Sequence, residues 1–302
     1  MADDHSTAHI FKSLAANLVI AVGKGVAATL TGSGALMAET LHSFADCGNQ
    51  ILLLFGVRRS QRPPDDSHPL GYGRDLYFWS FMVALLLFSG GGVFSIYEGV
   101  HKIRSPEAIN DAWIGFAILG ASLVIEGWAT YGNIAEMNAR RGDRTLLQYL
   151  RDTKDSDLVV IFGENAAAVL GLGLAMLALA LAWWTGDGRW DGVGSVGVGL
   201  VLVAVAVFLA VEVKSLLVGE AADEEVNQAI VHCVAASPGI VEALRTISIQ
   251  QGPGEVMVAM KVRVASELSA DDVCRAINDF ETALHARCPA IRWCFVEPDL
   301  EE

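Results

Sequence analysis

Long apolar runs, separated by short polar segments, fill the first two thirds of the chain. A helix needs about 20 apolar residues to cross the hydrocarbon core of a bilayer, and six of the runs are long enough. We therefore predict six membrane-spanning helices, called spans one to six, over residues 10–31, 33–57, 76–97, 112–134, 158–184 and 193–213. The hydrophobic content of 53% agrees with a polytopic helical membrane protein that carries some soluble mass.

The periodicity changes after residue 215. Two segments with a helical period and three that alternate like strands follow in the order α-β-β-α-β, over residues 223–234, 244–251, 255–264, 269–286 and 291–296. The predicted fold class is an α-helical membrane protein with six transmembrane helices and a C-terminal α+β domain of ferredoxin-like type. We place the transmembrane domain at residues 1–215 and the C-terminal domain at residues 216–302.

The distribution of basic residues orients the spans. Arg and Lys are concentrated in the loops between spans two and three and between spans four and five. The positive-inside rule then places both termini in the cytosol. The polar, acidic start of the chain does not resemble a cleavable signal peptide, so we expect a bacterial inner membrane protein. The formal net charge of −14 argues against nucleic acid as a partner.

Span two contains ionisable residues at helical spacing. His42 and Asp46 are four residues apart and therefore share one face of a helix, with Glu39 near the same face. A carboxylate near the middle of a bilayer costs roughly 2.5–3.5 kcal/mol, so it should face a partner or a water-filled cavity. Imidazole and carboxylate together supply half of a tetrahedral site for a divalent metal. The alternative is a polar seam that only joins packed helices.

Span five offers Glu164 and Asn165. At 1.5 Å per helical residue, Asp46 lies roughly 16 Å and Asn165 roughly 10 Å from the cytosolic surface, and these depths are compatible. We predict that ligands from two helices surround one divalent cation: His42, Asp46, Glu164 and Asn165. The set suits Zn²⁺ and does not exclude Mn²⁺, Fe²⁺ or Co²⁺. For Asn165 the alternative is an interhelical hydrogen bond.

Glu126, in span four, is a candidate proton carrier or a partner of Lys24.

Several motifs occur together in this chain. They are Ala38-Glu-Thr-Leu-His-Ser-Phe-Ala-Asp46, Gly48-Asn-Gln50, His68-Pro-Leu-Gly-Tyr-Gly-Arg74, Tyr77-Phe-Trp79 and Leu217-Val-Gly-Glu-Ala-Ala-Asp223. Together they resemble the cation diffusion facilitator family, and within it the zinc transporter 9-like branch. The spacing His-x-x-x-Asp is weakly specific alone, whereas its combination with the loop motif that follows is specific. The resemblance covers nearly the whole chain and implies a homodimer that exchanges a divalent metal for protons by alternating access.

The resemblance also assigns roles to single residues. His42 and Asp46 fall on the span-two ligand positions of the family. The span-five positions of many members fall on Ile161 and Asn165, and the zinc transporter 9-like branch often has Glu-Asp where this chain has Glu164-Asn165. One carboxylate has therefore been lost, and we expect Glu164 to be the span-five ligand.

Two further metal sites of the family can be compared with this chain. A site in the loop between spans two and three would use an Asp and two His residues. Asp65 and His68 match, whereas Tyr72 replaces the second His, so this loop is a candidate second metal site or point where cations enter, or else it is only anchored by His68. The positions of the binuclear site in the C-terminal domain hold Glu242, Met260 and Val296. We expect no structural metal there, and dimerisation by packing alone.

Arg74 lies where the family places a Lys that pairs with an acidic residue after span six, and Glu220 is the matching acid here. The alternative is an ordinary cytosolic positive charge.

The complete prediction is a secondary active transporter, not an enzyme, that exports a divalent cation, Zn²⁺ before others, by proton antiport. The alternatives are a transport-poor partner or sensor subunit, a transporter selective for Mn²⁺, Fe²⁺ or Co²⁺, and a passive channel.

Overall fold

The computed structural model describes residues 2–106, 112–153 and 156–301. Within these residues, six long helices occupy the positions of the predicted spans. They are Ala2–Thr31, Gly34–Ser60, Asp75–Arg104, Ala112–Arg140, Ser156–Thr185 and Arg189–Val218, and they keep the names spans one to six. The predicted six-helix membrane domain with a C-terminal α+β domain is confirmed.

Four of the described helices, spans three to six, are long and apolar enough to cross a membrane by length and composition alone. Span one contributes the shorter apolar segment Asn17–Thr31. Span two is less apolar because it carries a row of polar side chains, and most of these are buried in the protein. The chain is a multi-pass membrane protein whose polar span is shielded from lipid by its neighbours.

Span three departs from α-helical geometry where it is richest in glycine. Its central residues, Leu87–Val93, form a π-helical segment that includes Gly90, Gly91 and Gly92. A Cβ on Gly99 would lie 2.6 Å from the backbone oxygen of Gly192 in span six. Small residues let helix backbones approach this closely in a bilayer, so spans three and six are joined through their backbones.

The turn between spans one and two is built from short polar residues. Gly32 has a φ of +69°, a left-handed conformation that glycine adopts without strain and that commonly ends helices. Ser33 Oγ then accepts a hydrogen bond from the backbone nitrogen of Leu36 at 3.1 Å, which caps the start of span two.

The loop between spans four and five contains a short helix, Leu146–Asp152, where the sequence predicted only a basic loop. Thr145 and Gln148 exchange hydrogen bonds between side chain and backbone at 3.0 and 3.3 Å. This is a capping box, in which each side chain satisfies a free backbone N–H of the first turn. The Thr-x-x-Gln spacing is a sequence signal for the start of a helix, and the sequence analysis missed it.

A second compact unit contains the C-terminal residues from Lys214 together with the loop Arg58–Tyr77. The predicted order α-β-β-α-β is confirmed. The helices are Glu224–Ala236 and Ala270–Arg287, and the strands are β1 (Ile240–Gly252), β2 (Glu255–Val264) and β3 (Ile291–Pro298). Strand β2 is central, antiparallel to β1 and parallel to β3. Both helices contribute to one apolar core, whose largest fully buried members are Phe280 and Leu284.

Candidate cation site in the membrane unit

His42 and Asp46 lie together on one face of span two. His42 is fully buried, and its Nδ1 lies 3.5 Å from Asp46 Oδ1. Among the described residues, neither ring nitrogen of His42 nor Asp46 Oδ1 has a hydrogen-bond partner. A buried polar atom without a hydrogen-bond partner costs about 1–3 kcal/mol, so a bound group that satisfied these atoms would stabilise this face.

Asn49 extends the same face by one turn and connects span two with span five. Its Nδ2 donates a hydrogen bond to Glu164 Oε1 at 2.5 Å, and both side chains are buried. The Asn49–Glu164 bond places the Glu164 carboxylate next to the face of span two that contains His42 and Asp46. Asn49 was missed, although it follows Asp46 by three residues and His42 by seven, which places all three on one helical face.

Asn165, the fourth predicted ligand, is half-buried. The hydrogen bond that the structure places on it is made by its backbone carbonyl, which accepts from Thr130 Oγ1 of span four at 3.4 Å. Within residues 2–106, 112–153 and 156–301, no three His, Cys, Asp or Glu side chains stand close enough to hold a metal ion as they are. The ligand set His42, Asp46, Glu164 and Asn165 stays a prediction.

Lys24 forms a second buried polar cluster beside this face. Its Nζ donates to Glu39 Oε2 at 3.3 Å and to Ser43 Oγ at 2.9 Å, and the charged pair is fully buried. Glu39 is therefore an ion-pair partner of Lys24, and the roles expected of Glu126 stay predictions.

Asp191, which the sequence analysis missed, anchors the other end of span two. It is buried at the start of span six and accepts hydrogen bonds from Ser33 Oγ at 2.5 Å, from the backbone nitrogen of Ala35 at 3.2 Å and from that of Gly34. A carboxylate is favourable at a helix N-terminus because it satisfies free N–H groups and faces the positive end of the helix dipole. The first turn of span two is thus fixed to span six.

The loop residues Asp65 and His68 lie in the second unit. Asp65 accepts hydrogen bonds from the backbone nitrogens of Ser67 and His68 at 2.9 and 2.8 Å, and from the Tyr72 hydroxyl at 2.7 Å. The Tyr72 hydroxyl is the main cause of a lowered pKa at Asp65, followed by the His68 backbone N–H. The rings of His68 and Tyr72 are stacked with centroids 4.2 Å apart. These contacts are the ones that the loop-anchoring alternative requires, while metal binding by Asp65 and His68 stays a prediction.

Arg74 and Glu220 also belong to the second unit. A Cβ on Gly219 would lie 3.3 Å from Arg74 Nη2, so the guanidinium is next to the residue that precedes Glu220. Glu220 Oε1 accepts a hydrogen bond from Ser215 Oγ at 2.6 Å. The pair expected between Arg74 and Glu220 remains a prediction.

The fold and these buried groups define a polytopic helical membrane protein with a row of polar side chains between two spans. Residues 10–218 match the family model described as the cation efflux transmembrane domain. The chain belongs to this family, the cation diffusion facilitators, as the sequence motifs indicated.

Three curated relatives show how far the similarity extends. The mitochondrial proton-coupled zinc antiporter SLC30A9 of Xenopus laevis is 36% identical over 144 residues, which is 47% of this chain and 26% of that protein. Metal tolerance protein C4 of Arabidopsis thaliana is 33% identical over 226 residues, or 74% of this chain and 49% of that protein. Magnetosome protein MamB of Magnetospira sp. is 35% identical over 102 residues, 34% of each chain. The matched segments thus span a quarter to a half of these relatives.

A solved MamM C-terminal domain in a cadmium form also matches, with 18% identity and a TM-score of 0.24, over 26% of this chain and 98% of that one. At this level the match says nothing of function.

Proposed function

We propose that this protein carries a divalent cation, Zn²⁺ before others, across the membrane in exchange for protons. The observation that supports the proposal is the buried face of span two, where His42 and Asp46 have unpartnered polar atoms beside Glu164. The similarity to proteins named proton-coupled zinc antiporters supports the choice of cation and of coupling ion.

His42 is suited to both halves of the exchange. A neutral imidazole nitrogen binds a metal, whereas the protonated ring cannot, so cation binding and proton binding compete at the same atom. Asp46 and Glu164 compete in the same way, because each carboxylate oxygen binds either a proton or the cation. Cation binding from the cytosol therefore releases protons, and proton binding on the other side releases the cation.

The first prediction concerns His42. Purified protein in liposomes should take up Zn²⁺ and release protons in proportion, and His42→Ala should reduce both fluxes to the rate of empty liposomes. His101→Ala is the matched control, because His101 is exposed at the end of span three and should leave both fluxes unchanged. Full activity of His42→Ala would remove His42 from the mechanism.

A transport-poor partner or sensor subunit is the second candidate. It is suggested by Asn165, which replaces an expected carboxylate, and by Glu242, Met260 and Val296 at the expected positions of the binuclear site. The same liposome assay separates the candidates, since a subunit of this kind binds Zn²⁺ without flux. Competition by Mn²⁺, Fe²⁺ and Co²⁺ in that assay determines the preferred cation.

We also propose a homodimer formed through the C-terminal unit, with both termini in the cytosol of a bacterial cell. Ile247, Ala259 and Phe295 are neighbours on successive strands and form an apolar row across the sheet, with Ile247 and Phe295 exposed. A second copy would cover this row. The opposite side of the sheet contributes to the buried core.

A further inference from the structure

Asn49 is a buried polar residue that the predicted ligand set of the cation site does not include. Its side chain has no exposed surface, although it lies within a span. Its Nδ2 is bonded to Glu164, whereas its Oδ1 has no hydrogen-bond partner among the described residues.

The chemistry of the bond fixes which amide atom faces which way. A carboxylate oxygen accepts hydrogen bonds, so the amide NH₂ of Asn49 must face Glu164 Oε1. The amide oxygen, with two lone pairs, then points to another part of the buried site. Leaving it without a partner costs about 1–3 kcal/mol, a cost that a bound cation would remove.

The position on the helix indicates what that partner is. Asn49 follows Asp46 by three residues and His42 by seven, so the three side chains form one row along span two. Each of the three has a buried polar atom with no hydrogen-bond partner among the described residues: the ring nitrogens of His42, Asp46 Oδ1 and Asn49 Oδ1. A row of unpartnered nitrogen and oxygen atoms is suited to a cation, since amide and carboxylate oxygens and imidazole nitrogens are its common ligands.

We propose that Asn49 Oδ1 is a ligand of the transported cation, together with His42, Asp46 and Glu164, and that Asn49 fills the position expected of Asn165. The inference rests on the proposed function, because it adds a ligand to the same site. The Asn49–Glu164 hydrogen bond orients both side chains before the cation arrives. An amide oxygen is a harder ligand than imidazole, so Asn49 supports binding of Mn²⁺ more strongly than binding of Zn²⁺.

The rival role is a clamp that only joins spans two and five. A clamp depends on the amide donor, whereas a ligand depends on the amide oxygen. Asn49→Asp separates the two roles, because aspartate keeps an oxygen at this position and loses the donor. Asn49→Ala removes both, and Asn278→Ala is the matched control, because Asn278 is exposed on the helix Ala270–Arg287.

The test uses the full chain purified in detergent, titrated with Zn²⁺ and with Mn²⁺ against a chromogenic chelator. Loss of one ligand should weaken Zn²⁺ binding by about tenfold or more in Asn49→Ala and weaken Mn²⁺ binding further. Asn49→Asp should stay within about threefold of the unmodified protein, because a carboxylate is as good a ligand. Asn278→Ala should change either affinity by less than about twofold.

Two results would overturn the inference: unchanged affinities in Asn49→Ala, or equal losses in Asn49→Asp and Asn49→Ala, which is the result expected of a clamp. His42→Ala is measured beside them to separate this inference from the proposed function. If His42→Ala binds Zn²⁺ as tightly as the unmodified protein, the site itself is wrong, and not only the role of Asn49.

Discussion

At the scale of single residues, this protein has ionisable side chains inside its membrane spans, where burial is unfavourable, and these side chains differ in the partners that they find. Lys24 and Glu39 neutralise each other as a fully buried pair. Within the described part of the chain, the ring nitrogens of His42 and Asp46 Oδ1 have no hydrogen-bond partner. The difference separates a structural ion pair from the candidate cation site, since buried polar groups without hydrogen-bond partners are rare in native proteins.

The buried pair gives a prediction about stability. Lys24→Met should lower the free energy of unfolding by about 3–5 kcal/mol, because Glu39 is left as an uncompensated buried charge. The double variant Lys24→Met with Glu39→Gln should recover part of that loss. Denaturant unfolding of the purified protein in detergent measures both.

The matched control for this prediction is Arg140→Met, which breaks the exposed pair with Glu136 and should cost about 0–1 kcal/mol. Equal losses in Lys24→Met and Arg140→Met would show that the buried charge is compensated by some other group.

At the scale of elements, the spans differ in how they are held. Span two is fixed at its first turn by Asp191 and at its centre by the Asn49–Glu164 bond. Spans three and six approach closely at Gly92, Gly99, Gly192 and Gly199, where an added Cβ would lie within 3.3 Å of a backbone oxygen of the other span. Hydrogen bonds between helices can be exchanged during a movement, whereas close backbone packing tends to move as one body. We therefore expect spans three and six to move together during transport.

Two glycines in similar helices provide a test of the packing. Gly99→Ala should lower the free energy of unfolding by about 1–3 kcal/mol, because the new Cβ would press against the Gly192 oxygen and Val196. Gly120→Ala, in span four, should cause no loss, since a Cβ there meets nothing within 4 Å. Thermal unfolding in detergent compares the two, and equal behaviour would refute the close contact of spans three and six.

At the scale of the whole molecule, the chain divides into a membrane unit and a second unit that contains the C-terminal domain and the loop Arg58–Tyr77. Within the second unit, a Cβ on Gly73 would lie 2.7 Å from the backbone oxygen of Gln251, so the loop packs on the turn between β1 and β2. The motif His68-Pro-Leu-Gly-Tyr-Gly-Arg74 is thus part of the packing of the second unit. Gly73 is required in this motif because any side chain there would separate its backbone from that of Gln251.

The proposed homodimer gives the prediction at this scale. Phe295→Glu should reduce the mass of the purified protein from that of a dimer toward that of a monomer, because a charge would replace the exposed apolar side chain on the sheet. Leu300→Glu, which changes an exposed leucine beyond β3, should leave the mass unchanged. Light scattering in detergent distinguishes them, and a Phe295→Glu variant that remains dimeric would exclude this face.

The sequence by itself determined the elements. The six spans, the order α-β-β-α-β and the shared face of His42 and Asp46 follow from local periodicity, which a single stretch of chain contains. The tertiary structure decided the partners: Lys24 with Glu39, Asp191 with the first turn of span two, and Asn49 with Glu164. These contacts join residues far apart in sequence, so they depend on which helix packs on which and at what depth. When the depth of a span is uncertain by one turn, the sequence cannot decide between Asn49 and Asn165 as a ligand of the candidate cation site. Only helix packing places the Asn49 side chain on the Glu164 carboxylate.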